Sequence, residues 1–179
     1  MGSFVVCNKN MVMETRKIPC KQNLLKKYNV RGNMIRLVDV NPDNRRVRLN
    51  VAKAQDKYVA NKTVILARAY ACRNQRSRAF FIYDGEIPIG MGLYYDCPER
   101  ASYDVSQLFI DERYQGHGYG KAAMQLLLDE MKQDGKYNKV MLCYIEENDI
   151  VQNMYKQLGF VEIGHDEDEI IMEMVLPNA

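Results

Sequence analysis

Arg113-Tyr114-Gln115-Gly116-His117-Gly118-Tyr119-Gly120-Lys121 is the stretch on which the fold turns. Three glycines alternate here between an apolar strand pattern before and an amphipathic helix pattern after. Glycine lets backbone approach a ligand closely, and a helix N-terminus presents free N–H groups and the positive end of its dipole. The stretch therefore reads as a cradle for a phosphate-like anion. It lacks the Gly-Lys-Ser/Thr ending of a P-loop, and its glycines stand closer together than G-x-G-x-x-G requires. A plain strand-to-helix turn needs one glycine rather than three.

Working outward, Tyr103–Ile110 is the strand that feeds the loop. Met124, Leu127, Leu128 and Met131 then recur at helical spacing up to Asp134-Gly135. Lys139–Ile145 is apolar on both faces, as expected of a central strand covered by helices. Asn148 or Asp149 can cap the next helix, whose buried stripe reads as Ile150, Val151, Met154 and Leu158, with Gly159 ending it. Phe160–Gly164 and Glu169–Leu176 close the chain as two strands around the acidic turn 165–168.

Upstream, Met34–Val40 reads as a strand stopped by Asn41-Pro42-Asp43, a turn and helix start. Residues 43–55 and 62–72 read as two helices. Arg78–Tyr83 and Glu86–Tyr95 form a hairpin around Asp84-Gly85, with Gly90 and Gly92 marking a bulge or close backbone contact. Residues 96–102 read as a loop. The expected fold is α/β: a mixed sheet of about seven strands with helices on both faces.

Composition narrows the classes. A chain of 179 residues with 47% apolar and 27% charged side chains suits one domain with a sizeable core. No 18-residue apolar run exists, and the Phe4–Cys7 patch is too short for a signal-peptide core. The five cysteines (Cys7, Cys20, Cys72, Cys97, Cys143) contain no C-x-x-C pair, and only His117 and His165 add imidazole. That predicts no metal site, no disulfide framework and a reducing cytoplasm. Residues 1–32 carry seven basic side chains and one acidic, a net of +6, while the remainder carries −4. The expected organisation is a basic extension over 1–32, with Leu24, Leu25 and Tyr28 in a short helix, and one domain over 33–179. The acidic body favours a cationic small molecule over nucleic acid or membrane as partner.

Two motifs in order carry a resemblance to a known family. Gln115-Gly116-His117-Gly118-Tyr119-Gly120, after Leu108-Phe109-Ile110-Asp111, matches a Q-x-x-G-x-G pattern. Asn148, followed by Tyr155 and Leu158-Gly159-Phe160, matches an N-x-x-x-x-x-x-Y…G-F ending. Over residues 34–176 the chain resembles the GNAT superfamily of acyl-CoA-dependent N-acetyltransferases. Residues 55–60, 96–103, 109–115 and 169–174 resemble bacterial diamine/spermidine–spermine N-acetyltransferases more closely.

The resemblance implies a mostly antiparallel sheet whose fourth and fifth strands (103–110 and 139–145) splay apart to admit acetyl-CoA, the co-substrate. The loop amides of Gln115, Gly116, His117, Gly118, Tyr119, Gly120 and Lys121 would hold the pyrophosphate. The backbone of Leu108, Phe109 and Ile110 would pair with pantetheine and offer an N–H to an oxyanion, and Asn148 would contact the thiol end. Tyr155 would protonate the leaving thiolate. Relatives carry a charged side chain on the fourth strand where Ser106 and Gln107 stand, so the general base stays open among Asp104, Asp96 and Glu146. Cys143 reads as a buried structural thiol, which favours direct transfer. Asp56, Tyr58, Asp96 and Asp104, with Glu99, Tyr94 and Tyr95, are candidates to seat a polyamine. Another acceptor (a protein amine or an aminoglycoside-like antibiotic) and a non-enzymatic acyl-CoA-binding regulator are the alternatives. The resemblance also implies a homodimer.

Overall fold

A computed structural model describes residues 28–30, 33–55 and 57–177. Eleven elements alternate along it: β1 (Tyr28–Val30), β2 (Asn33–Asp39), α1 (Lys62–Ala71), β3 (Arg78–Asp84), β4 (Ile87–Cys97), β5 (Ser102–Ile110), α2 (Tyr119–Asp134), β6 (Lys139–Ile145), α3 (Asp149–Leu158), β7 (Val161–Asp166) and β8 (Glu169–Val175). The strands form one sheet in the order β1-β2-β3-β4-β5-β6-β8-β7, antiparallel except between β5 and β6. The expected mixed sheet with helices on both faces is thus present, with one more strand than the seven anticipated.

The sheet separates two apolar layers. On one face α2 and α3 cover Ile82, Tyr103, Val105, Leu142 and Met172. On the other, Ile65 of α1 packs with Phe81, Met91, Leu93 and Phe109. Gly90 is a close-contact position, since a Cβ there would lie 2.4 Å from the Phe109 carbonyl oxygen. Any larger residue would push β4 and β5 apart.

The β4–β5 register contains the feature that shapes the molecule. Leu93 pairs with Gln107, but Tyr94 pairs with Val105, which leaves Ser106 as an extra residue in β5. Such a bulge bends its strand and adds twist. It also switches which residues face which layer: Tyr103 and Val105 lie under α2, while beyond the bulge Phe109 turns to the α1 layer. The parallel β5–β6 ladder runs only from Tyr103↔Val140 to Val105↔Leu142 and stops at that bulge. β6, by contrast, keeps its pairing with β8 through Ile145↔Glu169. The two strands therefore diverge in a V that opens toward the glycine loop.

Three expectations change. Residues 43–55 are not a helix; after turns at 42–46 the chain runs extended and ends in a single 3-10 turn at Lys53–Gln55. The physical reason is period: Val47, Leu49 and Val51 alternate and pack on the α1-side layer, while Arg48 and Asn50 between them are exposed. Tyr28 lies in β1 and pairs with Ile35 rather than starting a helix; Leu24, Leu25 and most of the 1–32 extension fall outside the described residues. The stretch expected to be loop from residue 96 begins as the end of β4. Among the described residues, no helix is long and apolar enough to cross a membrane.

Asp111 fastens this arrangement. It is fully buried, accepts from Asn50 N at 2.8 Å, and pairs with Arg113 Nε at 2.8 Å. Hydrogen bonding from Arg113, with help from the Asn50 amide, holds its carboxyl down at about 2. A lowered carboxyl pKa contributes stability above the unfolded value, near 4, that is lost as pH falls through the folded one. Asp111→Asn should lower stability at pH 7 by about 2–3 kcal/mol in urea unfolding, and the gap to wild type should close between about pH 4 and pH 2.

Candidate active site

The V between β5 and β6 contains a cavity of about 520 Å³. One wall is β5 at Leu108, Phe109 and Ile110; the floor is the loop at Gln115, Gly116, Gly118, Tyr119, Gly120 and Lys121. The opposite wall is α3, with Asn148 and Tyr155. Residues that lie 47 positions apart in the chain are thereby gathered around one space.

Each wall offers unsatisfied chemistry. Asp111 N donates to Ile89 O at 2.8 Å. The alternation of an antiparallel ladder then turns the N–H groups of Leu108 and Ile110 to the other edge, where β6 has departed. Gly116 (φ 74°) and Gly118 (φ 83°) both adopt the left-handed conformation that other residues take at a cost. Gly118 is the N-cap of α2 and supplies no capping side chain, so the first amides of this 16-residue helix are left for a ligand.

Gln115 has a different part. Its Nε2 donates to Ile110 O at 2.9 Å and to Gln55 Oε1 at 2.7 Å, which clamps the loop onto the end of β5 and onto the 53–55 turn. His117 does not face the cavity: its exposed ring folds back on the Gln115 carbonyl, Nδ1 to oxygen 2.6 Å. Asn148 occupies the N-cap position of α3 but makes no capping bond, and its side chain lines the cavity.

The stripe of α3 is not the buried one expected from its spacing. Ile150 is 79% exposed, Val151 and Met154 are half-buried, and all three line the cavity. Val151 and Met154 also pack against the core with Leu158, so the apolar face is shared between core and ligand space. Tyr155 is the helix's one fully buried residue, packed against Tyr144 and Phe160 with centroids at 6.0 and 5.7 Å. Burial, followed by the neighbouring Cys143 thiol, pushes its pKa well above the usual phenol value, so it stays protonated at working pH.

A second, smaller groove of about 130 Å³ lies where the β5–β6 ladder ends. Asp104, Asp166 and Glu169 line it together with Arg100 and Cys143, three carboxylates against one guanidinium. Strand alternation puts it on the face opposite α2 and α3, because Leu142 and Tyr144 point into that layer. Desolvation, with Glu169 adding to it against Arg100, raises the Asp104 pKa. Cys143, expected to be buried, is exposed, because strand alternation turns it away from the helix-covered layer; desolvation in the groove and a hydrogen bond with Glu169 still push its thiol up to about 12, far from a reactive thiolate.

Other candidates separate. Tyr58 lines the main cavity. Asp96 does not reach either space: it is 1% exposed and held by Lys136 and Arg76 beside Asp134. Glu146 is exposed at the β6–α3 corner. Asp56 lies outside the described residues. Gln55, Val59, Tyr114 and Asn153 line the cavity without having been singled out in the sequence; their signal was adjacency to the motifs, which spacing alone does not convert into contact.

With this geometry in place, comparison with known proteins settles the class. Residues 40–160 match the model of the acetyltransferase (GNAT) family, and the chain belongs to that family. It is an acetyl-CoA-dependent N-acetyltransferase: the open strand edge, the uncapped helix start and the apolar α3 face suit an amide-bearing arm with a pyrophosphate. Among curated proteins it is similar to a spermine/spermidine N(1)-acetyltransferase of Bacillus subtilis, 29% identical over 134 residues that cover 70% of this chain and 87% of the relative. Among solved structures it is similar to a spermidine N-acetyltransferase from Vibrio cholerae in complex with CoA and spermine, with TM-score 0.65 and 21% identity over 79% of this chain and 95% of that one. The ribosomal L7/L12 alpha-N-protein acetyltransferase RimL, in complex with coenzyme A, has TM-score 0.63 and 12% identity over 84% of this chain and 98% of that one.

Gly118→Ala should weaken acetyl-CoA binding roughly tenfold by calorimetry, because the free loop escapes a left-handed strain of about 1–2 kcal/mol by leaving the conformation that presents its amides, and binding must restore it. The thermal midpoint should move by only a few degrees.

Proposed function

We propose that the chain transfers the acetyl group of acetyl-CoA to a primary amine of a polyamine such as spermidine or spermine, by direct attack. The observation that carries the reading is the pairing of two spaces at one strand divergence. A cavity with the chemistry of coenzyme A opens on one side of β5–β6, and the acidic groove of Asp104, Asp166 and Glu169 on the other. The similarity to the Bacillus subtilis enzyme supports the same acceptor class.

The roles of individual residues follow from position. The amides of Gly116–Lys121 hold the pyrophosphate, and the N–H groups of Leu108 and Ile110 pair with pantetheine. Asn148 steadies the thiol end. The acceptor reaches the site as an ammonium of pKa near 10 and must lose a proton before its nitrogen bonds the acetyl carbon. Asp104, desolvated and beside Glu169, is placed to accept that proton directly or through water. As the C–S bond breaks, Tyr155 gives its proton to the departing sulfur, and the second proton that the nitrogen sheds on becoming an amide restores the phenol. Cys143, held as a neutral thiol, takes no part in a covalent step. Free thiols at Cys72, Cys97 and Cys143 suit a reducing cytoplasm. Family resemblance favours a homodimer.

The test is thiol release from acetyl-CoA against a panel of amines. Spermidine and spermine should be turned over best; activity confined to aminoglycosides or peptides would refute the polyamine reading. Tyr155→Phe should lower kcat roughly 100-fold or more while leaving acetyl-CoA affinity within about threefold. The rate should climb with pH through the acceptor's deprotonation, with no falling limb from Tyr155 below about pH 10.

A further inference from the structure

One ammonium already sits at the mouth of the cleft, and it belongs to the protein. Lys57 Nζ forms an ion pair with the Glu147 carboxylate and lies 4.7 Å from the centroid of the Tyr58 ring. A carboxylate beside an aromatic face is a site for an aliphatic ammonium. Its two walls come from the two sides of the V. Tyr58 belongs to the 47–60 segment, which packs on the α1-side layer and is tied to β5 by Ala60 N donating to Gln107 Oε1 at 3.2 Å. Glu147 sits at the β6–α3 corner, next to Asn148. Tyr58 and Asn148 both line the main cavity.

The pair is a weak one to displace. Lys57 and Glu147 are 59% and 72% exposed, and pairs that open to water hold together by little. An incoming polycation can exchange with Lys57 at modest cost.

We infer that Tyr58 and Glu147 form a seat for a second ammonium of the acceptor, remote from the one acetylated, and that Lys57 occupies this seat as a built-in competitor until substrate replaces it. The inference rests on the polyamine reading above. It gives the enzyme a reason to prefer an acceptor with two or more charges. A monoamine has only the ammonium near Asp104 and nothing to exchange for Lys57.

The two partners of an ordinary surface ion pair lose the same contact when either is removed, so their variants would shift any property in the same direction. A seat with an internal competitor predicts opposite signs. Glu147→Gln should raise the KM for spermidine roughly three- to tenfold, whereas Lys57→Met, which keeps the aliphatic stem, should lower it by about threefold. The ratio of the KM for 1-aminobutane to that for spermidine should fall in the first variant and rise in the second. Thermal midpoints measured alongside report whether both variants fold. KM shifts of the same sign, or shifts under twofold in both folded variants, would overturn the seat while leaving the polyamine reading standing. Absence of spermidine turnover by the wild-type protein would instead overturn the polyamine reading, and this site with it.

Discussion

The structure depends on one extra residue in a strand. Ser106 enlarges β5 against β4 just where the parallel ladder to β6 ends, so backbone pairing gives way to a cleft without leaving the sheet. The cost of the lost ladder is limited because β6 remains fully paired with β8 on its other side. Gly90, with no room for a side chain over the Phe109 carbonyl, keeps β4 and β5 in close register past the bulge. The divergence is thereby rigid on both banks, and the amide edge that it exposes is held in place for a ligand.

Around that edge the electrostatics are divided. The loop side offers positive potential from oriented amides and the α2 dipole, which suits a pyrophosphate. The opposite face offers carboxylates at Asp104, Asp166 and Glu169, which suit an ammonium. Tyr155 stands between these fields with its proton retained by burial. In the proposed reaction the acetyl group meets the amine where the two fields approach each other.

Much of this plan was legible in the chain. Alternating glycines and the double-sided apolar run at 139–145 placed the order of elements along the chain, because each rests on local period or on φ, while Asn148 and Tyr155 were found by the motif they share with the family. What escaped was governed by tertiary contact. Val47, Leu49 and Val51 alternate, yet a Pro-bearing helix start just before them drew the segment into a helical reading. The α3 stripe packs on the core at Val151, Met154 and Leu158, yet Ile150, Val151 and Met154 also line the cavity, since a ligand space and a core look alike in one dimension. Asp96 looked like an acceptor ligand, but its partners Lys136 and Arg76 stand 40 and 20 positions away. The bulge at Ser106 carries no glycine or proline to announce it; only the change of facing residues between Val105 and Phe109 records it.

The central claim is that the divergence at Ser106 exposes β5 amides for coenzyme A. Hydrogen exchange resolved to single amides, with and without coenzyme A, tests it most directly. The account predicts that Leu108 and Ile110, together with Tyr119 and Gly120 at the start of α2, gain protection on binding. Coenzyme A binding that leaves those amides unchanged and protects others would contradict it.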